Sequence, residues 1–170
     1  MMDDVAARSD RLELLLLRHA DAGDSMAWTR PDAERPLSPK GQRQAARVAR
    51  WLSAIDHRPD AIITSPKVRA AETAAVVAGA FGIAVVNEPR LAGPFGIDLL
   101  EEILHDAGSP LRPMLVGHDP DFSELAALLS GVMTLQMRKG ALARIDIVPP
   151  LGAGGGTLRW LVPPDALPGD

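Results

Sequence analysis

The chain contains no cysteine. Disulfide bridges, thiolate metal sites and a cysteine nucleophile are therefore all excluded. No apolar stretch approaches the roughly 20 residues that a helix needs to cross a bilayer, and the aliphatic run from Leu12 to Leu17 is far too short. A basic excess is also missing: 18 Lys and Arg stand against 22 Asp and Glu, a formal net charge of −4. That balance argues against a general nucleic-acid binder, although a local basic pocket remains open to it. The first ten residues, Met1 to Asp10, are polar and acidic rather than basic and apolar, unlike a secretory leader. These absences point to a cytoplasmic protein with neither nucleic acid nor membrane as partner. Internal repeats and linkers are absent too. At 170 residues, 46% hydrophobic, the chain suits one domain with a core on both faces of a sheet. The expected boundaries are a flexible leader over 1–10 and a single domain over 11–165.

Short apolar runs read as buried strands: 12–17, 61–64, 112–116 and, as a short edge strand, 83–86. Between them lie helical patterns. Ser38-Pro39 starts one, with Ala45, Val48, Leu52 and Ile55 as its inner face. Ser65-Pro66 starts a second, with Ala70, Ala74, Val77 and Phe81 inside and Gly82 as its stop. A short acidic helix covers 98–106. Another follows Asp119-Pro120, with Asp121 and Glu124 spaced as a capping box. Residues 141–148 and 157–162 read as an antiparallel hairpin joined by the glycine-rich 152–156 turn. The expected fold is a three-layer α/β/α sandwich, with a mostly parallel central sheet and a C-terminal antiparallel hairpin.

Three of the strands end in groups that carry chemistry: Arg18-His19, Ser65 to Arg69, and Gly117-His118. Ligands gather outside the carboxyl ends of strands in such sheets. Arg18 supplies a planar donor fork suited to phosphate oxygens. Arg69 stands in the first turn of a helix, where free N–H groups also favour an anion. His118 can donate to the same anion, and His19 remains as the group that attacks. A neutral imidazole is a good nucleophile near pH 7. Two arginines beside it disfavour its protonation and neutralise the phosphate. The chemistry this suggests is phosphoryl transfer through a phosphohistidine, with charge stabilisation supplying most of the catalysis.

The four segments Leu17-Arg-His-Ala20, Arg35-Pro-Leu-Ser-Pro-Lys-Gly41, Thr64-Ser-Pro-Lys-Val-Arg-Ala70 with Glu72-Thr73, and Val116-Gly-His-Asp-Pro120 resemble the histidine phosphatase superfamily. They are most similar to its small SixA-type phosphohistidine phosphatases. The resemblance implies a phosphoglycerate-mutase-like fold, no metal and no other cofactor. It also implies His19 as the phosphorylated nucleophile and Arg18, Arg69 and His118 as the rest of the phosphate pocket. The larger branches carry Arg-His-Gly-Glu and an acid mid-chain; this chain has Arg18-His-Ala-Asp21, and no acid from Arg90 until Asp98. A departing imidazole, whose ordinary pKa is about 6.5, needs far less help from an acid than a departing alkoxide. That favours phosphohistidine in a protein partner as the substrate. Alternatives are a small phosphate monoester, with Asp21, Asp24 or Asp98 as the acid, and a binding module without turnover.

The remaining polar residues read as structural. His57 and His105 suit helix ends as cations. Ser38 and Ser65 read as caps, Lys40 as a solvent-facing helix residue, and Thr73 either braces Arg69 or bonds its own helix. Trp28, Arg30 and Arg35, in the long 20–36 loop, either line the pocket mouth or are simply solvated.

Overall fold

Alternate side chains of the first strand, β1 (Leu12–Arg18), point into two different cores, which is why its leucines run almost unbroken. Leu14 and Leu16 enter one core, Leu15 and Leu17 the other, and all four are fully buried. Burial of each contributes roughly 1.5–3 kcal/mol. The computed structural model describes residues 10–169, so nearly all of the leader expected over 1–10 lies outside the described residues.

The other strands are β2 (Ala61–Thr64), β3 (Val85–Asn87), β4 (Pro113–Gly117), β5 (Leu142–Ile147) and β6 (Gly156–Val162), in the order β3-β2-β4-β1-β5-β6. The first four in that order are mutually parallel, while β5 runs antiparallel to β1 and to β6. Helices α1 (Pro39–Ala54) and α2 (Val68–Phe81) cover the Leu15/Leu17 face. Helices α3 (Ile97–Asp106) and α4 (Asp121–Ser130) cover the other. The architecture is thus the expected α/β/α sandwich with a C-terminal hairpin. Among the described residues, no helix is long and apolar enough to cross a membrane.

Several local expectations are corrected. Helix α1 begins as expected, with Ser38 Oγ accepting from Gly41 N at 3.1 Å, but it stops at Ala54, which leaves Ile55 exposed rather than in the core. Helix α2 starts at Val68 without a side-chain cap, because the Ser65 hydroxyl is engaged elsewhere. The Asp121/Glu124 capping box does not form. Asp121 is already inside α4, and the Asp119 carboxylate takes the capping role, accepting from Ser123 N at 3.2 Å and Oγ at 2.7 Å. The edge strand begins two residues later than expected and ends one later, since Ile83 N still bonds back to Ala78 O at the end of α2. His57 is no surface cation: it is buried against Trp160 and accepts from Arg144 Nη1 at 3.4 Å, and burial lowers its pKa.

Gly41 sets how closely α1 approaches the chain leaving β1. A Cβ at this position would lie 2.0 Å from Asp21 O, a backbone atom with no freedom to retreat. Gly41→Ala is expected to destabilise the fold by about 3 kcal/mol, a fall in Tm of roughly 6–12 °C for a chain of this size. A thermal melt matching the wild type would refute this close approach.

Candidate active site

Strands β2, β4 and β1 are neighbours, so their carboxyl ends lie side by side. Two backbone bonds extend the ladder past the strand ends: His19 N donates to Gly117 O at 3.0 Å, and Ser65 N to Val116 O at 2.9 Å. The sheet itself therefore delivers Arg18-His19, Ser65 and His118 to one place, and α2 brings Arg69 back over them.

His19 is 5% exposed. Its Nδ1 lies 2.8 Å from Ala20 O. A carbonyl can only accept, so Nδ1 carries the proton and Nε2 the lone pair. Arg69 Nε–H donates to that Nε2 at 3.3 Å. Burial pushes the His19 pKa down to about 4; the Ala20 carbonyl raises it, and the charges of Arg69, Arg18 and Lys139 lower it further. At neutral pH the ring is an uncharged base with its lone pair facing an arginine.

The His118 ring lies 5.2 Å from that of His19. Its Nε2 is 2.7 Å from Ser65 Oγ, and its Nδ1 is buried with no partner among the described residues. Ser65 Oγ also accepts from Lys67 N at 3.3 Å; in the tautomer in which its hydroxyl donates to Nε2, His118 carries its own proton on Nδ1. Burial, followed by His19, Lys67 and Arg69, lowers the His118 pKa to about 3. Both rings are therefore neutral near pH 7, His19 offering a lone pair on Nε2. Ser65, read as a cap, instead orients His118.

Arg18 reaches Met137 O through Nη1 at 2.6 Å and lies 3.4 Å from Asp119, while its buried Nε has no partner among the described residues. Arg69 is held from behind: Nη1 donates to Asp32 O at 2.8 Å and Nη2 to Asp32 Oδ2 at 2.9 Å. Arg35 Nε bonds the other oxygen of Asp32 at 3.0 Å, and its Nη1 reaches Ala22 O at 2.8 Å. Arg35 is thus a buried brace, not a mouth residue. Its hydrogen bond, with Arg69 adding to it, lowers the Asp32 pKa. Trp28 Nε1 bonds Pro31 O, and Arg30 pairs with Glu34 while lying over Trp28, so these three are engaged within the loop. Thr73 bonds its own helix at Arg69 O, the second of its two readings, and accepts from Ala20 N at 3.1 Å.

Of the three acids weighed from sequence, Asp21 and Asp24 are engaged in hydrogen bonds of their own. Asp21 accepts from Ser38 Oγ and Gly23 N, and the Ser38 bond holds its pKa below the usual range. Asp24 accepts from Met26 N in an exposed turn, and Asp98 lies in the first turn of α3. Sequence reading missed Asp32 and Lys139. Asp32 shares a short segment with Arg35, but only the fold brings it to Arg69.

This chain is similar in sequence and in fold to known proteins. A sequence profile of the histidine phosphatase superfamily (branch 1) matches residues 14–95. An uncharacterised protein of Picosynechococcus sp. is 32% identical, the match covering 70% of this chain and 73% of that protein. The protein histidine phosphatase SixA, solved with tungstate, superposes with a TM-score of 0.76 at 22% identity, over 91% of this chain and 98% of that one. A mycobacterial glucosyl-3-phosphoglycerate phosphatase superposes at 0.66 with 16% identity, over 88% and 97%. At these identities the two structures speak for the fold alone. The profile match and the sequence relative carry the conclusion: this chain belongs to the histidine phosphatase superfamily.

Proposed function

We propose that this phosphatase removes the phosphoryl group from phosphohistidine in a protein partner, with His19 as its nucleophile. His19 Nε2 attacks phosphorus from the side opposite the leaving ring, forming a P–N bond as the substrate's P–N bond breaks. Arg18 Nε, Arg69 Nε and His118 Nδ1 donate to the three nonbridging oxygens. Water then attacks the phospho-His19 intermediate and orthophosphate departs. His19 keeps the Nδ1 proton on Ala20 O throughout, so it leaves the second step as the neutral imidazole that began the first.

One observation carries the choice of substrate: three carboxylates close to the pocket, those of Asp21, Asp32 and Asp119, are already committed. Asp21 is bonded to Ser38, Asp32 to Arg35 and Arg69, and Asp119 to Ser123 with Arg18 alongside. An alkoxide would leave without a proton donor, whereas a phosphohistidine whose second ring nitrogen carries a proton expels a neutral imidazole. The likeness to SixA supports this reading, while that to the glucosyl-3-phosphoglycerate phosphatase marks the rival.

The test compares phosphate release from a phosphohistidine-bearing protein and from an alkyl phosphate, with a chelator present. Release from phosphohistidine is expected to be at least about a hundredfold faster in kcat/KM, at the low end of what one well-placed acid is worth to an ester. Equal or faster hydrolysis of the alkyl ester would move the protein to the small-molecule phosphatases. Binding of orthophosphate without turnover of either substrate would make it a binding module.

A further inference from the structure

Beside the phosphate pocket, and sharing Arg18 with it, lies a cavity of about 300 Å³. One wall is the turn between α4 and β5, which is tied directly to the catalytic strand. Arg18 Nη1 donates to Met137 O at 2.6 Å, and Gly140 N donates to Arg18 O at 3.1 Å and His19 O at 3.0 Å. Gly140 permits this turn through a positive φ of 79°. The turn is therefore fixed relative to His19, and it presents Arg138 and Lys139. Lys40 and Gln44 of α1 also line it.

Four cations, Arg18, Lys40, Arg138 and Lys139, face two carboxylates, Asp21 and Asp165, across this space. The carboxylates are weak partners. Lys139 stands 3.7 Å from Asp21, whose carboxylate already accepts from Ser38 and Gly23. Arg138 stands 3.4 Å from Asp165, with side chains 76% and 67% exposed. The exposed Arg138–Asp165 pair contributes little, and the Lys139–Asp21 contact is long, so neither cation is tightly held against an incoming anion. The charge of Lys139 also reaches His19, where it helps to hold the ring neutral, so the cavity and the phosphate pocket lie within one field.

We propose that this cavity is a second anion subsite, which takes the carboxylate of an acidic residue flanking the phosphohistidine of the substrate, with Arg138 and Lys139 as specificity-determining residues. The inference rests on the proposed phosphohistidine reading. A carboxylate fits better than a second phosphate, because Asp21 at the edge of the site opposes a dianion more strongly than a monoanion. The role also explains why two cations stand on a turn anchored to the nucleophile's own backbone when no strong partner holds them there.

The test uses phosphohistidine peptides that differ only in carrying Asp or Asn beside the phosphorylated residue. They are assayed with the wild type and with the double variant Arg138→Met/Lys139→Met. In the wild type, kcat/KM for the acidic peptide is expected to exceed that for the neutral one about tenfold, with the difference in KM and shrinking at high salt. In the double variant the ratio should fall to near one. A ratio of one in the wild type, or a preference that survives the double substitution, overturns the subsite. Should the wild type turn over neither peptide but hydrolyse an alkyl phosphate, the phosphohistidine reading fails separately. The same ratio is then taken for alkyl phosphates with and without a second carboxylate. A preference lost in the double variant keeps the anion subsite but overturns the flanking residue as its ligand, and no preference overturns both.

Discussion

Replacing His19 with alanine is expected to lower turnover by about 10⁴-fold or more, the scale on which loss of a nucleophile acts elsewhere. Everything built around this ring serves its Nε2 lone pair. Ala20 O fixes the proton on Nδ1, burial and three cations keep the ring uncharged, and Arg69 Nε donates to Nε2 where, in the proposed reaction, the phosphoryl oxygens gather. Alanine removes the group proposed to form the P–N bond, yet it leaves β1 and its leucine contacts untouched. Circular dichroism should therefore match the wild type while labelled phosphate no longer attaches to the protein. The pH dependence carries a second signature. With the His19 pKa held at about 4, the neutral fraction stays near one from pH 8 down to about pH 5. It then falls as pH drops through about 4. Activity within tenfold of wild type in His19→Ala, or an enzyme limb near pH 6.5, would refute the assignment.

Arg69→Ala is the second large expectation, a loss of about 10²–10³-fold in kcat/KM, as for removal of one preorganised donor at a developing charge. Its guanidinium has two duties on two sides. Nε faces His19, and both Nη groups are held by Asp32, so the fork cannot turn away from the pocket. Loss of the charge also removes one influence that lowers the His19 pKa, and the acid limb should move upward from about 4. Asp32→Asn acts in the opposite direction. It leaves the backbone bond from Asp32 O in place but removes a negative charge behind Arg69. Inhibition by orthophosphate should then tighten about tenfold, the size of one unit charge several ångströms away in a partly screened site. Unchanged phosphate release in Arg69→Ala, or weaker phosphate binding in Asp32→Asn, would overturn this account of the pair.

The parts that sequence made legible are those where one physical cause dominates. The leucine run of β1 has only one economical environment, between two cores. That His19, Arg69 and His118 come together is legible because their segments each follow an apolar run, where a sheet delivers its ligands. What escaped was decided by partners far away in the chain. Ser65 carries the sequence mark of a cap, but His118 claims its hydroxyl. Asp119 displaces the Asp121/Glu124 box because Ser123 offers it two donors. His57 follows a helix, as a surface cation would, but Trp160 and Arg144 close over it. Asp32 and Lys139 lie in turns with no periodicity, and their importance arises only when the turns fold back on Arg69 and Asp21.

The position of β1 between β4 and β5 also governs how the protein comes into being. During synthesis this strand, Leu-Glu-Leu-Leu-Leu-Leu-Arg, leaves the ribosome long before either of the strands that flank it, Pro113–Gly117 and Leu142–Ile147. Until they arrive, a β-prone, aliphatic segment has both edges unpaired, the condition under which nascent chains associate wrongly. Glu13 and Arg18, the charges within it, are its protection during that wait. The backbone that carries His19 thus gains its last ties late: Gly140 N, which bonds Arg18 O and His19 O, and the β5 ladder both arrive well after β1 itself.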